Sequence, residues 1–483
     1  MLGNSGVQAL KDKLKVPEKY YDVLPEFLRG ENLSEELTRF RNSILWCLYL
    51  YDLSEEERKR VIKKLLELNI EFLPNFDPIQ TILGGKRKAE IFVQLLKEFL
   101  QKAKRIKKIP STHLAVSSIY DKFNEKFFHP FSKKEYKVLT AICKNPLISF
   151  RDLAKKTGFS VSGVRKIYLK IRDRLRFTSM INLHALKLRH LTLIISGLSK
   201  HEEEHLKNQF MKSVWLRTIY SFASNPELLV VSVNVPNDVK FLKEFLRGIK
   251  SLEKLWKIEL YDVSTICFIS NLSLYNPKKM WEFNPEKLIL RRLKSDEDTC
   301  IRCVKYFSIS DLKLSREDLY IIESLLREPR IGIEILTDLP TNTSTSTWIK
   351  RRRDFFNKKI LVPTILILDP RLKHDGILIT ESQEKLTALK RLFLSFPYIF
   401  LYNMQKIYPN TCNALLVYYR VPAGTIWRFL QVLNNVKKKL NIKKIYYEYQ
   451  GIGSYSFRRF LHRWDEEKQQ WVWCKEDVDV FKL

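Results

Sequence analysis

The chain is 483 residues long and carries 85 Lys or Arg against 54 Asp or Glu, a formal net charge of +31. With 45% hydrophobic residues and only 14 glycines and 18 prolines, the composition excludes a wholly disordered tail, a collagen-like repeat and a Gly-rich low-complexity chain. A cationic surplus of this size favours polyanion partners, nucleic acid ahead of acidic membrane, and the length suggests about three or four domains.

Residues 1–125 read as helix, with runs at 33–53, 54–69 and 86–108 and a break at Leu83-Gly84-Gly85. The last two runs end in basic turns, which suit either a helix dipole or a nucleic-acid face. No apolar run reaches the ~18–20 residues of a membrane-spanning helix, and the opening MLGNSGVQALKDKLK lacks a signal-peptide core, so a cytoplasmic, nucleoid-associated protein with no membrane partner is expected.

The stretch 131–180 changes character. SKKEYKVLTAICKN places Tyr136, Leu139, Ile142 and Cys143 at helical spacing behind Ser132 as N-cap, and Pro146 stops it. SFRDLAKKTG has Ser149 as cap and Gly158 as end signal. SVSGVRKIYLKIRDRLRF, residues 160–177, reads as a third helix whose buried stripe is Val161, Val164, Ile167, Tyr168, Ile171 and Leu175. Two short helices and a turn at Gly158-Phe159-Ser160 leading into a longer amphipathic helix are the pattern of a helix-turn-helix. The opposite face offers Ser160, Ser162, Arg165, Lys166, Lys170, Arg172 and Arg174. A solvated helix face is the bland alternative, but its place on the third helix of a strongly basic chain favours DNA contact.

Residues 181–270 alternate between strand and helix patterns. A β-rich run at 191–198 is followed by a helix at 201–212, then by strands at 214–223 and 227–235 around Ser224-Asn225-Pro226. A helix at 237–250 and a strand at 254–263 close a β-α-β-β-α-β order, the ferredoxin-like split arrangement. Residues 271–313 read as a polar connector. The seven cysteines are scattered and odd in number, which fits a reducing compartment. Cys300 and Cys303 have C-x-x-C spacing with no second pair at finger spacing, so they read as ordinary thiols, a metal half-site being the alternative.

The same signals then return. LSREDLYIIESLLRE has Ser315 as cap, Leu319, Ile322, Leu325 and Leu326 as stripe, and Pro329 as stop; Ser132 and Ser315, Pro146 and Pro329, and Leu153 and Leu336 all keep one offset of 183 (315 − 132). The third slot, TNTSTSTWIKRRRDFFNKKILV, opens with Asn342, Thr343, Ser344 and Thr345, which suit a cap and phosphate or base contact, and continues with Lys350, Arg351, Arg352 and Arg353. Residues 363–452 repeat the α/β order, including a helix over SQEKLTALKRLFLS, and Val421-Pro422 falls 186 positions (421 − 235) after Val235-Pro236. The C-terminal stretch crowds Tyr446, Tyr447, Tyr449, Tyr455, Phe457, Phe460, Trp464, Trp471 and Trp473 among Arg458, Arg459, His462 and Arg463. That crowding reads as the aromatic edge of the second α/β domain, base stacking being the alternative.

The expected fold class is therefore α+β: a helical N-terminal domain followed by two copies of a (winged) helix-turn-helix plus ferredoxin-like βαββαβ module. Its divisions are 1–125, helix-turn-helix 131–180, α/β 181–270, connector 271–313, helix-turn-helix 314–362, α/β 363–452 and tail 453–483.

With these residues in view, each module resembles the leucine-responsive regulatory protein/asparagine-synthesis regulator family, common in archaea and bacteria. RDLAKKTGFSVSGVRKIYLKIRDRL is similar to that family's second helix, turn and recognition helix, and NPELLVVSVNVPNDVKFLKEFLRGIKSLEKLWKIEL to its hairpin, helix and closing strand. The resemblance covers about 132–268 and, more distantly, 314–450; it implies a tandemly duplicated, archaeal chain whose two α/β domains replace the family's homodimer. The turns at Asn225-Pro226-Glu227 and Asn410-Thr411-Cys412-Asn413 depart from the family's amino-acid-sensing pattern, so no effector site is carried over.

Phosphate-loop, nucleophile-elbow and zincin motifs are all absent, and His201 with His205 is the one pair of histidines at ligand spacing, with nothing nearby to complete it. No enzyme activity, cofactor or metal is expected. The function expected is a sequence-specific, double-stranded-DNA-binding transcription regulator, acting as a monomeric pseudo-dimer or a homodimer. The alternatives are a replication initiator or DNA-architecture factor, and a factor docking on RNA polymerase or basal transcription factors.

Overall fold

The computed structural model describes residues 16–481 except 31, 68–71, 73–77, 79–81, 83–85, 108–111, 128–129, 223–224, 278–279, 287–298, 331–343, 370, 373, 382–392, 394–395, 423–424, 438–441, 448 and 454–457. Mixed helix and strand, it divides into two compact units: 1–127 with 332–348 and 452–454, and 128–331 with 349–451 and 455–483.

In the first unit, two short 3-10 turns precede α1 (Glu35–Asp52), α2 (Glu55–Glu67), α3 (Lys86–Ile106) and α4 (Thr112–Phe127). Ser34 Oγ caps α1 by accepting from the Leu37 N–H at 3.3 Å. Phe40, Ile44, Leu48, Phe92, Leu96 and Ile119 bring the helical stripes together in one apolar core. The break at Leu83-Gly84-Gly85 lies outside the described residues.

The second unit opens with α5 (Lys133–Lys144), α6 (Phe150–Thr157) and α7 (Val161–Ile171). The third helix is shorter than expected. Arg172–Arg174 form a 3-10 turn, and Leu175–Ile181 is strand β1, with Leu175 and Phe177 buried and Arg176 exposed between them. That alternation is a strand period, and β1 is held by pairing with a strand 186 positions downstream.

Next come β2 (Leu188–Ser196), α8 (Lys200–Met211), β3 (Leu216–Phe222), β4 (Asn225–Pro236), α9 (Val239–Leu252) and β5 (Lys257–Asn271). The connector is more structured than its composition suggests: it holds β6 (Tyr275–Asn276), β7 (Met280–Trp281) and β8 (Thr299–Lys305), and β8 pairs with β5. In that register Cys267 faces Cys303, and the two form a disulfide. This corrects the reading of Cys303 as an ordinary thiol: its partner lies 36 residues away in sequence, and only sheet pairing brings the two together.

α10 (Arg316–Arg327), α11 (Thr345–Asn357) and β9 (Leu361–Ile367) follow. The last α/β stretch is β10 (His374–Glu381), β11 (Tyr398–Tyr408), β12 (Cys412–Val421), α12 (Ile426–Val436), β13 (Ile442–Tyr447) and β14 (Tyr449–Gly453). The helix expected over 382–395 lies almost wholly outside the described residues. Strand β15 (Trp464–Asp465), β16 (Gln470–Trp471) and a short α13 (Glu476–Asp479) end the chain.

The main sheet has the order β13-β10-β12-β11-β5-β2-β4-β3-β14. Its two halves, β5-β2-β4-β3 and β13-β10-β12-β11, each run fourth-first-third-second in chain order. They join where β11 pairs antiparallel with β5, from Tyr398 opposite Ser270 to Tyr408 opposite Leu260. The far ends of the path, β13 and β14, are neighbours along the chain. One side of the second half is apolar, with Leu378, Ile399, Leu401, Leu415 and Val417 under Phe429, Leu430 and Leu433 of α12.

Facing positions in the sheet carry buried polar groups that partner one another. Lys406 Nζ bridges Glu259 at 2.8 Å and Glu381 at 2.9 Å, the Tyr261 hydroxyl donates to Glu381, and Lys444 reaches Glu259 at 2.9 Å. Much of the aromatic tail is packing. Phe460, Trp464 and Trp471 are buried, Phe460 lies 4.6 Å from Trp215 between ring centroids, and the indoles of Trp464 and Trp471 donate to the Leu314 and Leu186 carbonyls. Tyr455 and Phe457 lie outside the described residues.

Candidate nucleic-acid interface

Local capping chemistry builds the first helical unit. Ser132 and Glu135 form a reciprocal capping box at the start of α5. Ser149 Oγ caps α6, which ends at Gly158 in the left-handed conformation (φ +71°). Ser160 Oγ then accepts from the Gly163 N–H at 3.1 Å to start α7. Val164 and Ile171 anchor α7 in the core, with Val138, Leu139, Ile142 and Leu153 buried in the two preceding helices. Val161, expected in that stripe, is 49% exposed instead: it is the first helical residue, and burial begins one turn later.

The polar face of α7 sorts its expected contacts. Ser160, Ser162, Arg165, Lys166 and Arg172 are exposed, and Arg165 and Lys166 make no ion pair among the described residues. Lys170 is exposed but pairs with Glu135 at 3.1 Å. Arg174 leaves the exposed set. Its side chain is 4% exposed, pairs with Glu135 at 3.4 Å and lies over the Phe131 ring. Burial opposes ionisation of Glu135, yet the Ser132 N–H, Lys170 and Arg174 together hold its carboxyl below the ordinary range. Cations on the preceding helices escaped the sequence reading: Lys133, Lys134, Arg151, Lys155 and Lys156 are all exposed. Their signal in the sequence is the pair Lys133-Lys134 in the first turn of α5 and the pair Lys155-Lys156 in the last turn of α6, outside the caps and the apolar stripes.

Residues 131–168 match a family model described as winged helix-turn-helix DNA-binding. This segment is a winged helix-turn-helix DNA-binding domain. No curated protein matches the chain. Among solved structures, the siroheme decarboxylase NirDL, alone and in co-complex with an iron-uroporphyrin III analogue, covers 68% of this chain and 97% of its own, at 13% and 12% identity. Both give a TM-score of 0.41.

Downstream, Ser315 and Asp318 form the same reciprocal box at the start of α10. Asn342 and Thr343 lie outside the described residues. Ser344 Oγ accepts from the Thr347 N–H at 3.3 Å ahead of α11, and Trp348 and Phe355 are buried. The basic run divides by direction. Arg351 turns back to Asp318 at 3.1 Å and Glu317 at 3.6 Å, and Arg352 donates to the Pro329 carbonyl at 2.6 Å. Thr345, Lys350 and Arg353 remain exposed, and Lys350 and Arg353 form no ion pair among the described residues.

Strand β1, after α7, pairs antiparallel with β9, after α11. Leu175 faces Ile367, Thr178 faces Thr364 and Ile181 faces Leu361. Thr178 and Ser179 hydroxyls donate to the Leu326 and Leu325 carbonyls at the end of α10, at 2.7 and 2.8 Å. Arg330 donates to the Pro146 and Ile148 carbonyls and lies over the rings of Tyr168 and Phe177. These contacts join the segment after α10 to the first helical unit. Among the described residues no group of three or more His, Cys, Asp or Glu is placed to hold a metal, and no helix is long and apolar enough to cross a membrane.

Proposed function

We propose that the chain is a sequence-specific, double-stranded-DNA-binding transcription regulator with two helix-turn-helix units on an intramolecular pseudo-dimer, and that it is not an enzyme. One observation carries the reading: the third helix of the matched winged helix-turn-helix presents an exposed face on which Arg165 and Lys166 make no ion pair among the described residues. A recognition helix enters the major groove, where arginine and hydroxyl side chains read base edges and flanking cations neutralise phosphates.

The pseudo-dimer is supported by β1 and β9. Residues at one offset of 186 (364 − 178) occupy opposite strands of an antiparallel pair, so the pair carries a local two-fold through Thr178 and Thr364. The shared strand order of the two sheet halves, each ferredoxin-like in sequence, supports it further. Arg353 and Lys350 are then the outward cations of the second unit, and Arg351 and Arg352 hold it together.

The test is titration of the full chain with double-stranded genomic fragments at two salt concentrations. Binding should weaken steeply with salt, and Lys166→Ala or Lys350→Ala should reduce the log–log salt slope by about 1. Binding that neither salt nor these substitutions weaken overturns the reading.

A further inference from the structure

The exposed faces of α7 and α11 differ in one respect that the count of basic residues conceals. Their registers are set by structure. Ser160 and Ser344 each accept a hydrogen bond from the backbone three residues on, Val164 and Trp348 are fully buried, and Ile171 and Phe355 are buried two turns later. All three pairs share an offset of 184 (344 − 160).

In that register, the exposed row at i, i+4 and i+8 is Val161-Arg165-Leu169 on α7 and Thr345-Ile349-Arg353 on α11. Val161, Leu169 and Ile349 are 49%, 51% and 51% exposed, large aliphatic groups standing on otherwise hydrophilic faces. At the centre of the row the first helix has a guanidinium with no ion pair among the described residues, and the second a bare aliphatic side chain.

Resting on the DNA-binding reading, we propose that the two helices read different bases at the same central position: Arg165 a guanine, and Ile349 the methyl group of a thymine. A guanidinium matches the paired acceptors O6 and N7 of guanine in the major groove. An aliphatic side chain has no hydrogen bond to give and gains instead by covering the C5-methyl of thymine. Val161 and Leu169 provide further methyl contacts beside the guanine. Arg353, one turn beyond Ile349, moves the cation of the second row to its end.

Selection of bound sequences from a random double-stranded library, with the full chain and with Arg165→Ala and Ile349→Arg, tests this. The wild type should enrich an asymmetric site with guanine at the centre of one half and thymine at the equivalent place in the other. Arg165→Ala should reduce the guanine preference about 10-fold or more, and Ile349→Arg should install guanine in the other half and make the site more symmetric. If guanine stays preferred without Arg165, or the thymine survives Ile349→Arg, the assignment is wrong. A uniform loss of affinity across all sequences in Arg165→Ala also overturns it, because that is the mark of a phosphate contact. If the wild type enriches no sequence at all, sequence-specific DNA binding itself fails, a result distinct from an enriched site whose bases ignore the substitutions.

Discussion

Glu135 accepts from the Ser132 N–H and pairs with Lys170 and Arg174, so one carboxylate caps α5 and neutralises a buried arginine. Its depressed pKa fixes the sign: the stabilisation is present above the unfolded carboxyl pKa and is lost as pH falls through the lower folded value. Glu135→Gln removes the carboxylate charge that pairs with the buried Arg174 guanidinium and is expected to cost roughly 3 kcal/mol at neutral pH. Urea unfolding at neutral and acid pH checks this, and the gap from wild type should narrow on acidification. Glu381 follows the same logic. Although burial favours its neutral form, Lys406 and the Tyr261 hydroxyl bring its pKa down from 4.5 to about 2. Glu381→Gln should therefore flatten the stability loss between pH 4.5 and 2, measured as the melting temperature across that range. At this scale the exposed polar residues of α7 were largely legible. The residue type and spacing of Ser160, Ser162, Arg165 and Lys166 mark an outward face, because the buried stripe leaves them nowhere else to point. Arg174, Arg351 and Arg352 were not legible, because each turns inward to a carboxylate or carbonyl on another element.

Helix starts follow short-range rules. Ser132, Ser149, Ser160 and Ser315 cap at the positions where a hydroxyl precedes an apolar period, and Gly158 ends α6 because the chain there needs a positive φ. The end of α7 does not follow from such rules. Residues 172–177 suit both helix and strand, and the pairing of Leu175–Ile181 with Leu361–Ile367 decides for strand. The stretch 362–380 likewise splits into β9 and β10 around a turn where Arg371 and the Trp281 indole both bond Asp369. β8 is the clearest case. A polar connector becomes a strand because β5 offers it an edge, and the Cys267–Cys303 bond closes a separation of 36 residues. Cys303→Ser should lower stability by about 3–4 kcal/mol on the chain-entropy estimate. Non-reducing peptide mass spectrometry should find the Cys267–Cys303 crosslink, and its absence from the oxidised protein would contradict the pairing.

The halves of the second unit depend on each other through backbone pairing. β5 without β11, and β1 without β9, would each expose a long unpaired edge. Residues 128–286 expressed alone are therefore expected to self-associate, with β1 pairing to β1 of a second copy as it does to β9. A stable monomer at micromolar concentration in analytical ultracentrifugation would contradict this. The charge of +31 is a property of the whole chain, and how much of it is presented outward is set by direction rather than by count. Each of the two stretches 160–177 and 343–359 holds six Lys or Arg against one Asp, but several of these side chains are spent on internal contacts. The sequence by itself determined the helix caps, the apolar periods, the basic character and the spacing of the repeated signals, because each depends on residues within a few positions of one another. The tertiary structure alone decided which cations face outward, which cysteines bond, and that β1 pairs with β9 across 186 positions. Those outcomes depend on contacts between distant segments, whose energies no local pattern contains.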